Sequence, residues 1–250
     1  MGKKVFQEFN IWDQVNLALT MYCPNLATKL GIRNIQKDVS KFFFKSVKDT
    51  VEYREKNNIH RDDFLQLLME LKNSEVKLSM NELTAQAFLF FLAGFGTSST
   101  VTTQALYELG KNEEVQSRAR DEIIEILGQH DNKITYESLA EMKYLEQVID
   151  VLGLQHDPDY WPDPLKWDPD RFGEENGGNK HSFTYLPFGE GPRNCIGMRF
   201  GLMQTKIGLI TVLKNFKVSV SPRTVTPLGM DPDTFLFHTI NKVYLNLDKI

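Results

Sequence analysis

The residue that invites chemistry is Cys195, set in Phe188-Gly189-Glu190-Gly191-Pro192-Arg193-Asn194-Cys195-Ile196-Gly197. Glycine and proline mark a turn. The apolar spacing behind it (Met198, Phe200, Leu202, Met203, Ile207, Leu209, Ile210, Leu213) is helical, so Cys195 is predicted at or just before a helix N-terminus. Unpaired N–H groups and the positive dipole end favour an anion there, which lowers a thiol's pKa. A thiolate is either a nucleophile or a soft metal ligand. A nucleophile needs a base. No histidine lies near Cys195 in sequence, Arg193 stays protonated, and only the distant His156, His181 and His238 remain for an approach in space. Zinc needs about four ligands, and the two cysteines, Cys23 and Cys195, form no C-x-x-C. A single-thiolate site is left, beside the plainer alternative of a buried structural cysteine.

Haem iron is one metal held by a single cysteine thiolate. The loop as a whole reads F-x-x-G-x-R-x-C-x-G at Phe188, Gly191, Arg193, Cys195 and Gly197, and here the sequence resembles the cytochrome P-450 family. The resemblance implies heme b with Cys195 as its axial iron ligand. It implies Phe188 beside the sulfur, Arg193 on a haem propionate, Gly191 shaping the turn and Gly197 letting the helix approach the porphyrin.

A second element has to face that loop. Ser79-x-x-Glu82 is a capping box opening the longest helical pattern, from Asn81 to about Leu109. Its centre, residues 88–95, is apolar all round, which predicts burial on every side. Gly94 and Gly96, with hydroxyls following, predict a kink or the close approach of something flat; a packing notch for another helix is the alternative. Ala93-Gly94-Phe95-Gly96-Thr97 resembles the family's A-G-x-D/E-T segment on the distal haem face. The resemblance implies that Ala93 and Gly94 lie against the cofactor and that the Thr97 hydroxyl assists proton delivery to bound dioxygen. Gly96 stands where the family carries a carboxylate, with Ser98 and Ser99 as candidate substitutes.

Other elements follow from periodicity and caps. Residues 12–30 read as a short helix ending near Cys23-Pro24. Asp38 is expected to cap a helix with Val39, Phe42, Phe43, Val47 and Val51 on its core face. Asn57-Asn58 ends it, His60 is solvated, and Asp62 or Asp63 starts the next helix. Residues 111–128 carry Val115, Ala119, Ile123, Ile126 and Leu127 inward, with Glu113, Glu114, Arg118, Arg120, Asp121 and Glu122 as a solvated face. His130 is expected exposed. Thr135 caps one further helix through Leu139, Met142, Leu145, Val148 and Ile149. Trp161 and Trp167 read as buried anchors of an irregular segment, residues 174–180 as a linker, and 217–220 and 243–247 as strands. The intervening Pro227–Met230 tip reaches toward the substrate pocket in the family. His238 reads as structural.

Residues 142–150 resemble the family's lead into its E-x-x-R helix, and the resemblance then jumps between Asp150 and Val151. The E-x-x-R motif and the strands after it have no counterpart. Pro169-Asp170-Arg171-Phe172 resembles P-E-R-F, whose arginine pairs with E-x-x-R. Losing one side of a buried charge pair costs about 3–5 kcal/mol, against about 5–15 kcal/mol for a whole domain. Low haem occupancy, low solubility and poor turnover are therefore expected of the chain, with a smaller penalty where Arg171 turns to solvent or pairs with Asp168, Asp170, Glu174 or Glu175.

The 250 residues, 41% hydrophobic and 25% charged with net charge −4, read as an ordinary globular composition without a nucleic-acid field. No signal peptide or spanning helix is predicted. The fold class is mainly α with a small β component. The resemblance implies one incomplete catalytic domain over 1–250, with a gap at 150/151. It implies haem-dependent monooxygenation of small apolar compounds, in the manner of insect microsomal xenobiotic-metabolising members. Electrons would come from NADPH through NADPH–cytochrome P-450 reductase, on the cytoplasmic face of the endoplasmic reticulum membrane, with peripheral membrane contact through residues 12–30. The competing readings are a non-catalytic truncated form or gene-model fragment, and a cofactor-free helical interaction module.

Overall fold

A computed structural model describes residues 11–72, 74, 75, 77–149, 159, 161, 163, 164, 166–173, 185–229 and 239–250. The 150/151 junction, His156, the 174–180 linker, His181, Met230 and His238 lie outside them. The chain divides into two compact units between Phe95 and Gly96.

In the first unit, α1 (Ile11–Tyr22) and α2 (Pro24–Lys29) meet at Cys23-Pro24, proline taking the first helical position. Helix α3 (Lys37–Asn57) starts at Gln36 without a side-chain cap; Asp38, predicted as the cap, sits inside the first turn and accepts from the Val39 N–H. It ends where Asn58 adopts left-handed backbone at φ 50°, a conformation asparagine tolerates. Asp63 starts α4 (Phe64–Lys72) by accepting from the Gln66 N–H at 3.0 Å. Val47, Val51, Leu68, Met69 and Leu83 form the core. Phe43 packs edge-on against Phe88, and Phe64 stacks on Phe90 at 4.4 Å.

The predicted capping box opens α5 (Met80–Lys111): the Ser79 N–H donates to Glu82 Oε2 at 2.8 Å and the Glu82 N–H to Ser79 Oγ at 3.3 Å. The helix runs unbroken through Gly94 and Gly96. Burial on every side does not hold for 88–95: Leu89 is 56% exposed and Phe95 49%. Within the first unit, aromatic rings of α3 and α4 cover only part of that circumference.

The second unit continues α5 from Gly96 and adds α6 (Glu113–Gln129), α7 (Tyr136–Glu141), α8 (Lys143–Val148) and α9 (Met198–Leu213). Strands β1 (Phe216–Val220) and β2 (Leu245–Lys249) pair antiparallel with Val218 opposite Leu247. Leu109, Ile123, Leu127, Leu145, Leu209 and Leu213 are central to its core. The expected helix after Thr135 is two helices. Met142 breaks it with ψ 79°, and the Glu122 carboxylate accepts from the Tyr144 and Leu145 N–H groups at the new start. Thr135 does cap α7, as predicted.

The solvated face assigned to α6 is only partly so. Arg120 donates to the carbonyls of Leu213 and Phe216, and Glu122 serves α8. Both are drawn inward by backbone groups that have no other partner in their own element. His130 is half-buried rather than exposed, with Nε2 2.9 Å from Glu141. Trp161 is buried against Phe172, as an anchor.

Candidate functional site

The Cys195 loop is built on left-handed turns. Gly189 and Gly191 sit at φ 70° and 80°, where a side chain would be strained. A short 3-10 turn, Gly191–Arg193, brings the chain round, and the Cys195 N–H donates to the Phe188 carbonyl at 2.8 Å. Gly197 is the N-cap of α9, so the cysteine precedes a helix start as its sequence predicts. The thiol is exposed, which removes the reading of a buried structural cysteine. A Cβ on Gly197 would stand 3.9 Å from Cys195 Sγ, so glycine leaves that flank of the sulfur clear. The half-buried Phe188 ring lies 3.9 Å from where Gly201 would carry a Cβ, against the first turn of α9. Arg193 is exposed on the same loop.

Ala93, Gly94 and Thr97 all lie in α5, with Ala93 and Thr97 exposed. Next to Thr97, Ser98 is buried and its Oγ donates to Gln204 Oε1 at 3.0 Å, tying this turn of α5 to α9. One turn on, a Cβ at Gly208 would meet Thr102 Cγ2 at 3.4 Å. Small residues thus let the two helices approach closely. Ser98 and Ser99, the candidate substitutes for the carboxylate, have committed their hydroxyl protons, Ser99 to the Gly96 carbonyl at 2.9 Å.

Arg171, whose family partners have no counterpart in this chain, donates Nη2 to the carbonyls of Asp163 and Lys166, at 3.2 and 2.8 Å. The two neighbouring aspartates take other cations. Asp168 pairs with Lys166, whose hydrogen bond holds its pKa below the usual carboxylate value. Asp170 accepts from Arg118, whose guanidinium lies 3.8 Å from the Tyr144 ring centroid. The 3-10 turn Pro169–Phe172 is thereby pinned to α6 and α8. These carbonyl contacts hold Nη2 of Arg171 within its own loop.

The donor set around the sulfur suits a group bearing a metal, apolar surface and acidic side arms. The donor is one exposed thiol beside a helix N-terminus, and a cationic arginine shares its loop. Ile196, Met198 and Phe200 stand exposed in the same stretch, Ile196 completely, an arrangement uncommon on a finished apolar-poor surface.

Comparison with known proteins agrees. The sequence model of the family described as Cytochrome P450 matches residues 2–150 and, as a separate segment, 151–245. "Probable cytochrome P450 6a13" of Drosophila melanogaster is 41% identical over 99% of the chain and 58% of its own length. "Cytochrome P450 6A1" of Musca domestica is 38% identical over 91% of the chain and 54% of its own length. "Cytochrome P450 6a2" of Drosophila melanogaster is 36% identical over the whole chain and 59% of its own length. The chain therefore spans about half the length of these relatives. The first alignment runs over 288 residues on a chain of 250, so that relative carries residues with no counterpart here. With the cysteine loop and the A-G-x-x-T turn of α5 both inside the matched segments, the chain belongs to the cytochrome P450 family.

Proposed function

We propose that this chain supplies the thiolate ligand and the dioxygen-side helix of a haem-thiolate monooxygenase acting on small apolar compounds, xenobiotics among them. The observation that carries the reading is the exposed Cys195 thiol, set at the start of α9 in a loop held by the Phe188 carbonyl. Heme b, bound through that sulfur, would supply dioxygen binding and activation, the thiolate favouring O–O cleavage. Cys195 is the ligand, Arg193 the partner of a haem carboxylate, and Phe188 an apolar cover beside the sulfur. Gly191 and Gly197 hold the loop's shape and its open flank. Across α5, Ala93 and Gly94 offer little bulk, and Thr97 presents a hydroxyl able to hold or pass a proton. Gly96 offers no side chain to that route, and the Ser98 and Ser99 hydroxyl protons are engaged by Gln204 and the Gly96 carbonyl.

The electron supply in this reading is NADPH, delivered by NADPH–cytochrome P450 reductase. The setting is the cytoplasmic face of the endoplasmic reticulum membrane. No helix among the described residues is long and apolar enough to cross a membrane. Exposed Trp12, Met21 and Tyr22 on α1 and Leu30 just past the end of α2 support peripheral contact there. We assign the whole of 1–250 to one catalytic domain, shortened internally at 150/151, where the family match divides.

The test is to reconstitute the chain with hemin and record the reduced carbonyl complex, then add the reductase and NADPH with a panel of small apolar compounds. The reading predicts a thiolate-type spectrum and product that depends on both additions. A spectrum without thiolate character, or product formed equally without reductase, contradicts it.

A further inference from the structure

Between Tyr185 and Gln204 no described residue is buried; the first buried side chains after Cys195 are Thr205 and Lys206. Leu202 and Met203 pack partly buried against the core ahead of that point, and Thr205 and Lys206 are the first full grip on the helix behind the loop. Lys206 is 4% exposed. Its ammonium donates to the Leu139 carbonyl at 2.8 Å, the Met142 carbonyl at 3.1 Å and Glu146 Oε2 at 2.8 Å. A lysine has three donors, and here each has an acceptor.

Those acceptors define the corner between α7 and α8. Leu139 and Met142 offer carbonyls freed where the helix breaks, and Glu146 lies in α8. A buried ammonium is tolerated only when paired and hydrogen-bonded, so this contact has one geometry. The apolar residues further along α9 have no such directional demand. Gln204, the neighbouring tie to α5, is itself exposed.

We propose that Lys206 is a positioning residue for the Cys195 thiolate, fixing the direction in which α9 presents the cysteine loop by locking the helix to the α7–α8 corner. The proposal rests on Cys195 being the iron ligand. It extends that reading to a residue outside the loop motif, acting through the helix rather than on the haem.

The experiment compares Lys206→Met with Lys214→Met, the same chemical change at an exposed residue at the end of α9. Hemin affinity and the reduced carbonyl spectrum are recorded for both. Lys206→Met is expected to weaken hemin binding about 10-fold or more, the size typical of groups that orient a metal ligand, and to lose thiolate character. Lys214→Met should match wild type. Lys206→Arg and Glu146→Gln keep part of the contact and should fall between, and they carry the test if Lys206→Met does not fold. Equal affinity and an unchanged spectrum in Lys206→Met, or in both milder variants, overturn the proposal.

If the wild-type chain takes up no hemin, the reading of Cys195 fails as a separate matter. Lys206 is then judged by hydrogen exchange at residues 198–201 and by alkylation of Cys195 relative to Cys23. Faster rates at both with unchanged exchange over Leu209–Leu213 support the positioning role, and unchanged rates refute it.

Discussion

Ser98 Oγ donates to Gln204 Oε1 at 3.0 Å, so the turn of α5 that carries Thr97 is tied to the helix that begins behind Cys195. The two segments singled out for chemistry are thus linked through neighbours that take no part in it. A hydrogen bond of this kind contributes about 0.5–1.5 kcal/mol net. In a double-mutant cycle with Ser98→Ala and Gln204→Leu, followed by denaturant unfolding, a coupling of about that size is expected. Additivity of the two changes would show that the helices are held without it.

Gln116 holds the edge of the small sheet. It is 2% exposed, and its amide donates to the Leu109 and Val218 carbonyls while its oxygen accepts from the Val218 N–H at 2.8 Å. A side chain here does what a third strand would do, which also blocks that edge against foreign strands. Gln116→Leu strands these backbone groups, each costing about 1–3 kcal/mol when buried unpaired. A loss of roughly 3 kcal/mol in urea unfolding, with increased aggregation, is expected; a change within about 0.5 kcal/mol would show that water replaces the amide.

Acid should weaken the first unit in a particular window. Arg54 donates to both oxygens of Asp63, at 2.8 and 2.6 Å, and these bonds hold the carboxyl pKa at about 2 against a usual 3.8. A depressed folded pKa stabilises above the unfolded value, and that contribution is lost as pH falls from about 4 toward 2. Asp63 is 37% exposed, so screening trims the effect, and Asp63→Asn should cost about 1–2 kcal/mol at neutral pH. The gap between wild type and variant should close near pH 2; a gap that persists there would assign the effect to packing.

How much of this was legible beforehand divides along a physical line. Local rules succeeded: the capping box at Ser79, the cap at Thr135, the strands around Val218 and Leu247 (the second beginning two residues later than expected, at Leu245), and the glycine-punctuated loop all depend on residues close in sequence. What failed depends on distant partners. Periodicity carries one helix through Met142, but Glu122 and Lys206, from α6 and α9, take up the groups freed by a break there. The apolar run 88–95 tells that a surface is oily, not what covers it. The family partners of Arg171 have no counterpart here, and spacing does not tell that carbonyls of its own loop accept from its Nη2. Three acceptors converging on Lys206 have no trace in spacing at all.

The central claim is that Cys195 is the iron ligand. Its most direct measurement is the reduced carbonyl spectrum of the hemin-reconstituted chain with Cys195→Ala beside Cys23→Ala. Both thiols are exposed and both precede a helix start, but Cys195 alone sits in the F-x-x-G-x-R-x-C-x-G loop. The account predicts that Cys195→Ala abolishes the thiolate-type spectrum while Cys23→Ala leaves it unchanged. A thiolate spectrum that survives Cys195→Ala, or vanishes with Cys23→Ala, would contradict it.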